Sequence, residues 1–385
     1  MSRIAFITGS RADYGIMRRY LTLLDNDSDI DLKIVVTGAL LDERFGHQVE
    51  LIYNDGFEVD AEIKTHIDST SNMTVIDNMA ETLTKFGHFF NERNYDLVII
   101  LGDRYEMLSV ATAAAMQRIP ILHIHGGEAT YGNYDEFIRH AITKMSWYHF
   151  TATEEYRKRV IQLGENPFRV FYLGALGAEN CLYIEEKNVP ELVKALMNKH
   201  YFVVLFHPET LTNTDTLQQI NELLSAIDIY SEYEFVFLGT NADTNSNIIR
   251  KRINEFVTKN DNAIYFENLH TDAYHYLLKN GIGLIGNSSS GIIEAPSLGI
   301  YTVNIGERQA GRVRGNSVID TKCEKNSIEK AIQAVLKRYT TIQPVNPYYV
   351  KDSAELYYKT TKNILSELNE DVKEPKTFYD LNFNN

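Results

Sequence analysis

Cysteine is nearly absent from this chain. Two in 385 residues, Cys181 and Cys323, exclude a disulfide framework and a zinc cage. Reduced thiols in the cytoplasm are the simple expectation. No run of 18 or more uninterrupted apolar residues occurs, so no membrane span is expected. The start, Met1–Ser2–Arg3–Ile4–Ala5–Phe6–Ile7, enters a strand pattern directly, with no signal-peptide core or cleavage site. Positive charge is short as well: 38 Lys and Arg face 52 Asp and Glu, a net charge of −14. That argues against nucleic acid or an anionic membrane as partner. A small anionic ligand stays open, because Arg308, Arg312 and Arg314 cluster locally. No G-x-G-x-x-G follows a strand, which disfavours NAD. The P-loop pattern G-x-x-x-x-G-K-[ST] is missing, which excludes a P-loop ATPase, and without G-x-S-x-G a serine hydrolase is disfavoured.

What is present is β/α alternation, twice over. Strand-length apolar runs lie at Arg3–Thr8, Leu32–Thr37, Leu97–Leu101, Ile121–Ile124, His149–Thr151 and Val170–Leu173, then at Phe202–Phe206, Glu234–Leu238, Ala263–Phe266, Ile282–Ile285 and Tyr301–Ile305. Helical patterns separate them. Near-continuous apolar strands alternating with helices predict parallel sheets covered on both faces. The fold class expected is α/β, with two doubly wound Rossmann-like domains facing a cleft. The domains are read as 1–175 and 176–350. The remaining 351–385 is read as a helix, with Tyr357 and Tyr358, crossing back to the first domain, then a surface arm from Glu370.

Ligands of such sheets bind beyond the carboxyl ends of the strands. The informative turn is Gly286–Asn287–Ser288–Ser289–Ser290–Gly291, followed by Ile292–Ile293–Glu294. A strand-to-helix turn of small residues aims N–H groups and hydroxyls at one spot, at the positive end of a helix dipole, which suits a phosphate. The same composition also serves simply to cap a helix. Glu294 is placed to accept hydrogen bonds from a ribose or sugar. Asp103 and Arg104 end a strand, as a structural charge pair or as site residues. His125, Glu128, Asp135 and Glu136 crowd titratable groups within a short loop, where they would shift one another and divide acid and base roles. His123 follows the strand alternation and reads as packing. His at i and i+2 point to opposite faces of a strand, so His123, His125 and Glu128 do not make a metal site.

Together these segments resemble the UDP-N-acetylglucosamine 2-epimerase family, which shares the two-domain architecture of the B-type glycosyltransferases. The resemblance rests on Thr8–Gly9–Ser10–Arg11–Ala12–Asp13–Tyr14–Gly15, Gly102–Asp103–Arg104, Ile138–Arg139–His140–Ala141–Ile142–Thr143–Lys144, His207–Pro208 and the serine turn. The Arg–Ala–Asp–Tyr and Gly–Asp–Arg forms look like the hydrolysing branch. The resemblance implies UDP contacts from Arg11, Arg104, His207, Asn241, Ser288, Ser289, Glu294 and Arg308. It implies catalytic carboxylates at Asp103 and Asp135. The family's third carboxylate is a glutamate in His–Ile–Glu–Gly–Gly, and here that position is His125. Its role passes to His125 or to Glu128. The acid–base set is thus Asp103, His125, Glu128, Asp135 and His207.

The implied reaction eliminates UDP from UDP-N-acetylglucosamine to give a 2-acetamidoglucal, then hydrates it to N-acetylmannosamine, the first step of sialic acid biosynthesis. No cofactor and no metal is needed, and a homodimer is implied. The same reaction on a UDP-2,4-diacetamido sugar (UDP-N,N'-diacetylbacillosamine), for legionaminic acid, is the alternative. Others are a non-hydrolysing epimerase, a glycosyltransferase and a nucleotide-sugar sensor without turnover.

Overall fold

The computed structural model describes residues 1–68, 71–131, 134–209, 215–240, 245–339, 341–369 and 376–382. Met1–Ala129, Tyr134–Leu176 and Val350–Asn385 form one compact unit, and Thr130–Asn133 with Gly177–Tyr349 form a second. No helix among the described residues is long and apolar enough to cross a membrane.

Unit 1 is built on β1 (Ser2–Thr8), β2 (Ile30–Thr37), β3 (Val59–Ile63), β4 (Leu97–Leu101), β5 (Ile121–Ile124), β6 (Tyr148–Thr151) and β7 (Val170–Tyr172). They form one parallel sheet in the order β3-β2-β1-β4-β5-β6-β7. Successive side chains of a strand point to opposite faces, so β1 sends Ile4 and Phe6 into one core and Ala5 and Ile7 into another. Both faces are covered, hence the continuous apolar runs. The C-terminal helix Ser353–Asn369 belongs to this unit. Tyr357 is fully buried, stands edge-on to Phe150 at 4.9 Å, and donates to Gly174 O at 2.8 Å.

Unit 2 holds β8 (Tyr201–Leu205), β9 (Glu234–Leu238), β10 (Ala263–Phe266), β11 (Gly283–Gly286), β12 (Tyr301–Ile305) and β13 (Val318–Thr321). The order is β10-β9-β8-β11-β12-β13, again parallel. β3 and β13 are the two strands that apolar runs do not reveal. Each lies at a sheet edge, is half-buried and carries acidic residues (Asp60 and Glu62, Asp320), as edges require.

Candidate functional site

In each unit the strand order reverses at one seam, where the loops leaving two neighbouring strands diverge and open a crevice. In unit 1 the seam is β1/β4 and in unit 2 it is β8/β11. The polar clusters sit at these seams.

In unit 1, Ser10 caps helix Arg11–Asp25 by accepting from Asp13 N at 3.2 Å, which leaves Arg11 exposed on the first turn. Asp103 follows β4, and its partner is Arg139 rather than the adjacent Arg104. Of the two readings of Asp103 and Arg104, the charge pair between neighbours does not form: the fold pairs Asp103 across 36 residues. The Arg139 side chain is 1% exposed. It also donates to Glu136 at 2.8 Å and to Glu128 O at 2.7 Å. Arg104 turns to Glu106, 2.5 Å away, which raises its already high pKa. Glu106 is buried, and its Oε2 lacks a hydrogen-bond partner among the described residues.

Carboxylates outnumber guanidiniums here, and the proton affinities follow. Burial, then the Asp103 charge, pushes Asp135 up to about 6 against the pull of Arg139 and Arg104. Asp13 is likewise pushed up to about 6 by burial, opposed by Arg104. His123 is fully buried as expected. Burial lowers it to about 3, and its Nε2 lies 2.8 Å from Gly102 O, with Nδ1 3.1 Å from Thr143 Oγ1. His123 therefore fixes the turn that aims Asp103. His125 takes a left-handed backbone (φ 67°) costing about 1 kcal/mol, held by a hydrogen bond from its N–H to Phe150 O at 2.8 Å. Its Nδ1 stands 3.4 Å from the buried Glu128 carboxylate. Next to it Gly127 (φ 78°) must be glycine, since a Cβ would lie 2.5 Å from Tyr156 O.

In unit 2, Asn287 closes the seam. Fully buried, it accepts from His207 N at 2.8 Å and donates to His207 O at 2.9 Å. Its own carbonyl accepts from Arg308 Nη1 at 3.2 Å and Gln309 Nε2 at 3.0 Å. Glu209 receives the N–H groups of Glu307 and Arg308 at 2.8 and 3.2 Å. Hydrogen bonds thus tie the His207, Asn287 and Arg308 loops together. Burial and then Arg308 lower His207 to about 3, so its ring is neutral near pH 7 and lies 3.0 Å from Thr240 Oγ1. Gly286 enters this turn so tightly that a Cβ would lie 1.9 Å from Leu205 O.

Two expectations change. The helix after the serine turn, Ser290–Ile293, is one turn long and passes into the 3-10 segment Ala295–Leu298, because Pro296 stops it. No dipole of useful length builds up there. The hydroxyls interlock: Ser288 Oγ lies 3.1 Å from Ser290 Oγ, which also bonds to Tyr274. Ser289 is half-buried beside them. Of the basic cluster, Arg314 is committed to Asp320 at 2.8 Å and to the carbonyls of Arg312 and Gln309. The Glu294 carboxylate lies 3.4 Å from His275. Asn241 lies outside the described residues.

A family model described as UDP-N-acetylglucosamine 2-epimerase matches residues 22–361. The chain belongs to that family. It is 46% identical over 387 residues to polysialic acid biosynthesis protein P7 of Escherichia coli, covering 99% of this chain and 98% of that one. It is 34% identical over 383 residues to GDP/UDP-N,N'-diacetylbacillosamine 2-epimerase (hydrolyzing) of Campylobacter jejuni, covering 98% and 99%. UDP-GlcNAc 2-epimerase from Neisseria meningitidis, solved bound to UDP-GlcNAc, shares the fold with a TM-score of 0.78 at 18% identity, covering 94% and 100%.

Among the residues of this epimerase, Arg139, Asp13 and Glu106 carry no role of their own in the sequence, although Asp13 and Arg139 lie within its motifs. The signal for Arg139 was available: Ile138, Arg139, Ile142 and Thr143 form the buried stripe of helix Asp135–Met145, and an arginine on such a stripe needs a buried partner. Asp135 gives a direct test. Its raised pKa means that ionisation costs the folded state. Asp135→Asn is therefore expected to raise Tm at pH 7.5, with the gain shrinking as pH falls through 6 and gone below about 4. A Tm gain equal at pH 4 and 7.5 would show that Asp135 is not held against its charge.

Proposed function

We propose that this family member is a hydrolysing epimerase converting UDP-N-acetylglucosamine and water into N-acetylmannosamine and UDP, at the entry to sialic acid synthesis. The observation that carries the reading is one helix, Asp135–Met145, serving two unlike carboxylates: Asp135, pushed up to about 6, and Asp103, ion-paired to Arg139. An unequal pair suits a reaction that takes the C2 proton from one face and returns a proton to the other. The C2–H bond breaks, the C1–O bond to UDP breaks, and a C1=C2 double bond forms. Water then supplies the C1 hydroxyl while a proton re-adds at C2. His125 and Glu128, 3.4 Å apart, share the third acid–base role. Ser288, Ser289, His207, Glu294, Arg308, Arg11 and Arg104 are assigned to UDP by family resemblance. His207 serves as a neutral hydrogen-bonding group. Asn241 joins them by family resemblance alone. The hydrolysing step is supported by the Campylobacter relative's name. A cytoplasmic homodimer working without a cofactor completes the reading.

Incubation with UDP-N-acetylglucosamine in deuterated water tests it. Free UDP and N-acetylmannosamine should accumulate in equal amounts, with deuterium at C2. Full protium at C2 would rule out the elimination, and UDP-N-acetylmannosamine without free UDP would make the enzyme non-hydrolysing. The second reading, a UDP-diacetamido sugar as substrate, is favoured by the same relative's name and is separated by comparing kcat/KM for the two sugars.

A further inference from the structure

The reaction as proposed makes no use of a buried charge cluster behind the acid–base helix. Glu165, 3% exposed, receives three cationic or imidazole groups. Lys144, on the last turn of helix Asp135–Met145, reaches its Oε1 at 2.6 Å. His149, fully buried on β6, lies 3.1 Å from Oε2. The third is Lys376, from the C-terminal arm, at 2.6 Å. The same Lys376 ammonium donates to the carbonyls of Thr143, at 3.5 Å, and Ser146. Ser146 is the C-cap of the helix, whose carbonyl is one of those a helix end leaves without an intrahelical donor, while Thr143 O also accepts from Ser146 N at 3.1 Å. A cation there complements the dipole. The arm is seated by two further contacts. Tyr379 N donates to Gly164 O at 2.9 Å, and the Phe378 ring lies 4.8 Å from Lys144 Nζ.

The helix so held is the one that organises both carboxylates. Asp135 is its first residue, Arg139 in its middle grips Asp103, and Thr143 near its end holds His123, which in turn holds Gly102 O. We propose that Lys376 is a positioning residue for this epimerase: the C-terminal arm locks the far end of helix Asp135–Met145 and thereby sets the geometry of Asp103 and Asp135. This rests on the reaction proposed above. Misplacement by an ångström costs up to about 10²-fold in rate, so partial loosening of one helix end should cost about tenfold.

The full-length Lys376→Met protein is compared with wild type and with Lys376→Arg, which keeps a cation and several donors. Lys376→Met is expected to lower kcat about tenfold while UDP affinity by calorimetry and KM stay within about twofold. Lys376→Arg should recover most of the rate. Amide exchange should speed about tenfold in Asp135–Met145 and remain unchanged in Arg11–Asp25. Unchanged kcat and exchange would overturn the proposal. So would a joint loss of Tm, UDP affinity and rate that arginine does not restore, which marks a purely structural lysine. Absence of turnover in the wild type would instead reject the proposed reaction, and the exchange comparison alone would then decide whether the arm holds the helix.

Discussion

Asp103→Asn should lower kcat by about 10²-fold or more, the scale of a lost acid–base group, with UDP affinity unchanged. Asn keeps the shape and its amide oxygen can still accept from the Arg139 guanidinium, so the ion pair becomes a cation–amide hydrogen bond and the helix stays docked. What is lost is the proton-accepting charge at the end of β4. UDP contacts are assigned to other side chains, chiefly in unit 2, so binding and turnover should separate cleanly. Measured on one folded preparation, near-normal turnover would reject the acid–base role. Parallel loss of Tm and UDP binding would show that the Asp103–Arg139 pair serves the fold alone.

Arg139→Met is the most damaging single change expected, and for a different reason. The guanidinium is 1% exposed and holds Asp103, Glu136 and the Glu128 carbonyl together. Removing it leaves the half-buried Asp103 and Glu136 carboxylates without their cation. Breaking a fully buried pair from one side costs about 3–5 kcal/mol. With Asp103 27% exposed the loss should sit at or below the low end of that range, and Tm and turnover should fall together. The double variant Asp103→Asn/Arg139→Met should recover part of the Tm, since removing both charges relieves the unpaired one. A single Arg139→Met protein as stable as wild type would mean that the cluster is solvated and that its carboxylates do not depend on Arg139.

Some of this was legible one residue at a time. The central strands declare themselves because burial on both faces demands unbroken apolar runs, while β3 and β13 hide because an edge strand is half polar. The serine turn, His207 and Gly102–Asp103–Arg104 are visible because turns at the carboxyl ends of parallel strands have few residue types that fit. Gly286 shows why: a Cβ there would strike Leu205 O.

Partnership among charges was not legible, because it depends on which loops the sheet order brings side by side. Strands β4 and β5 are neighbours, so helix Asp135–Met145 delivers Arg139 to Asp103 across 36 residues, whereas the adjacent Arg104 turns to Glu106. The length of the helix after the serine turn was decided by Pro296 and the packing beyond it, not by the apolar pattern that opens it. Sequence alone determined the fold class, the strand-end loops and the family, since local sterics and burial write those into residue type. Tertiary structure decided which carboxylates are pushed up to about 6, that His207 is neutral, and that Lys376 reaches the acid–base helix. Proton affinity and distant pairing follow from burial and separation in space, which the order of residues does not encode locally.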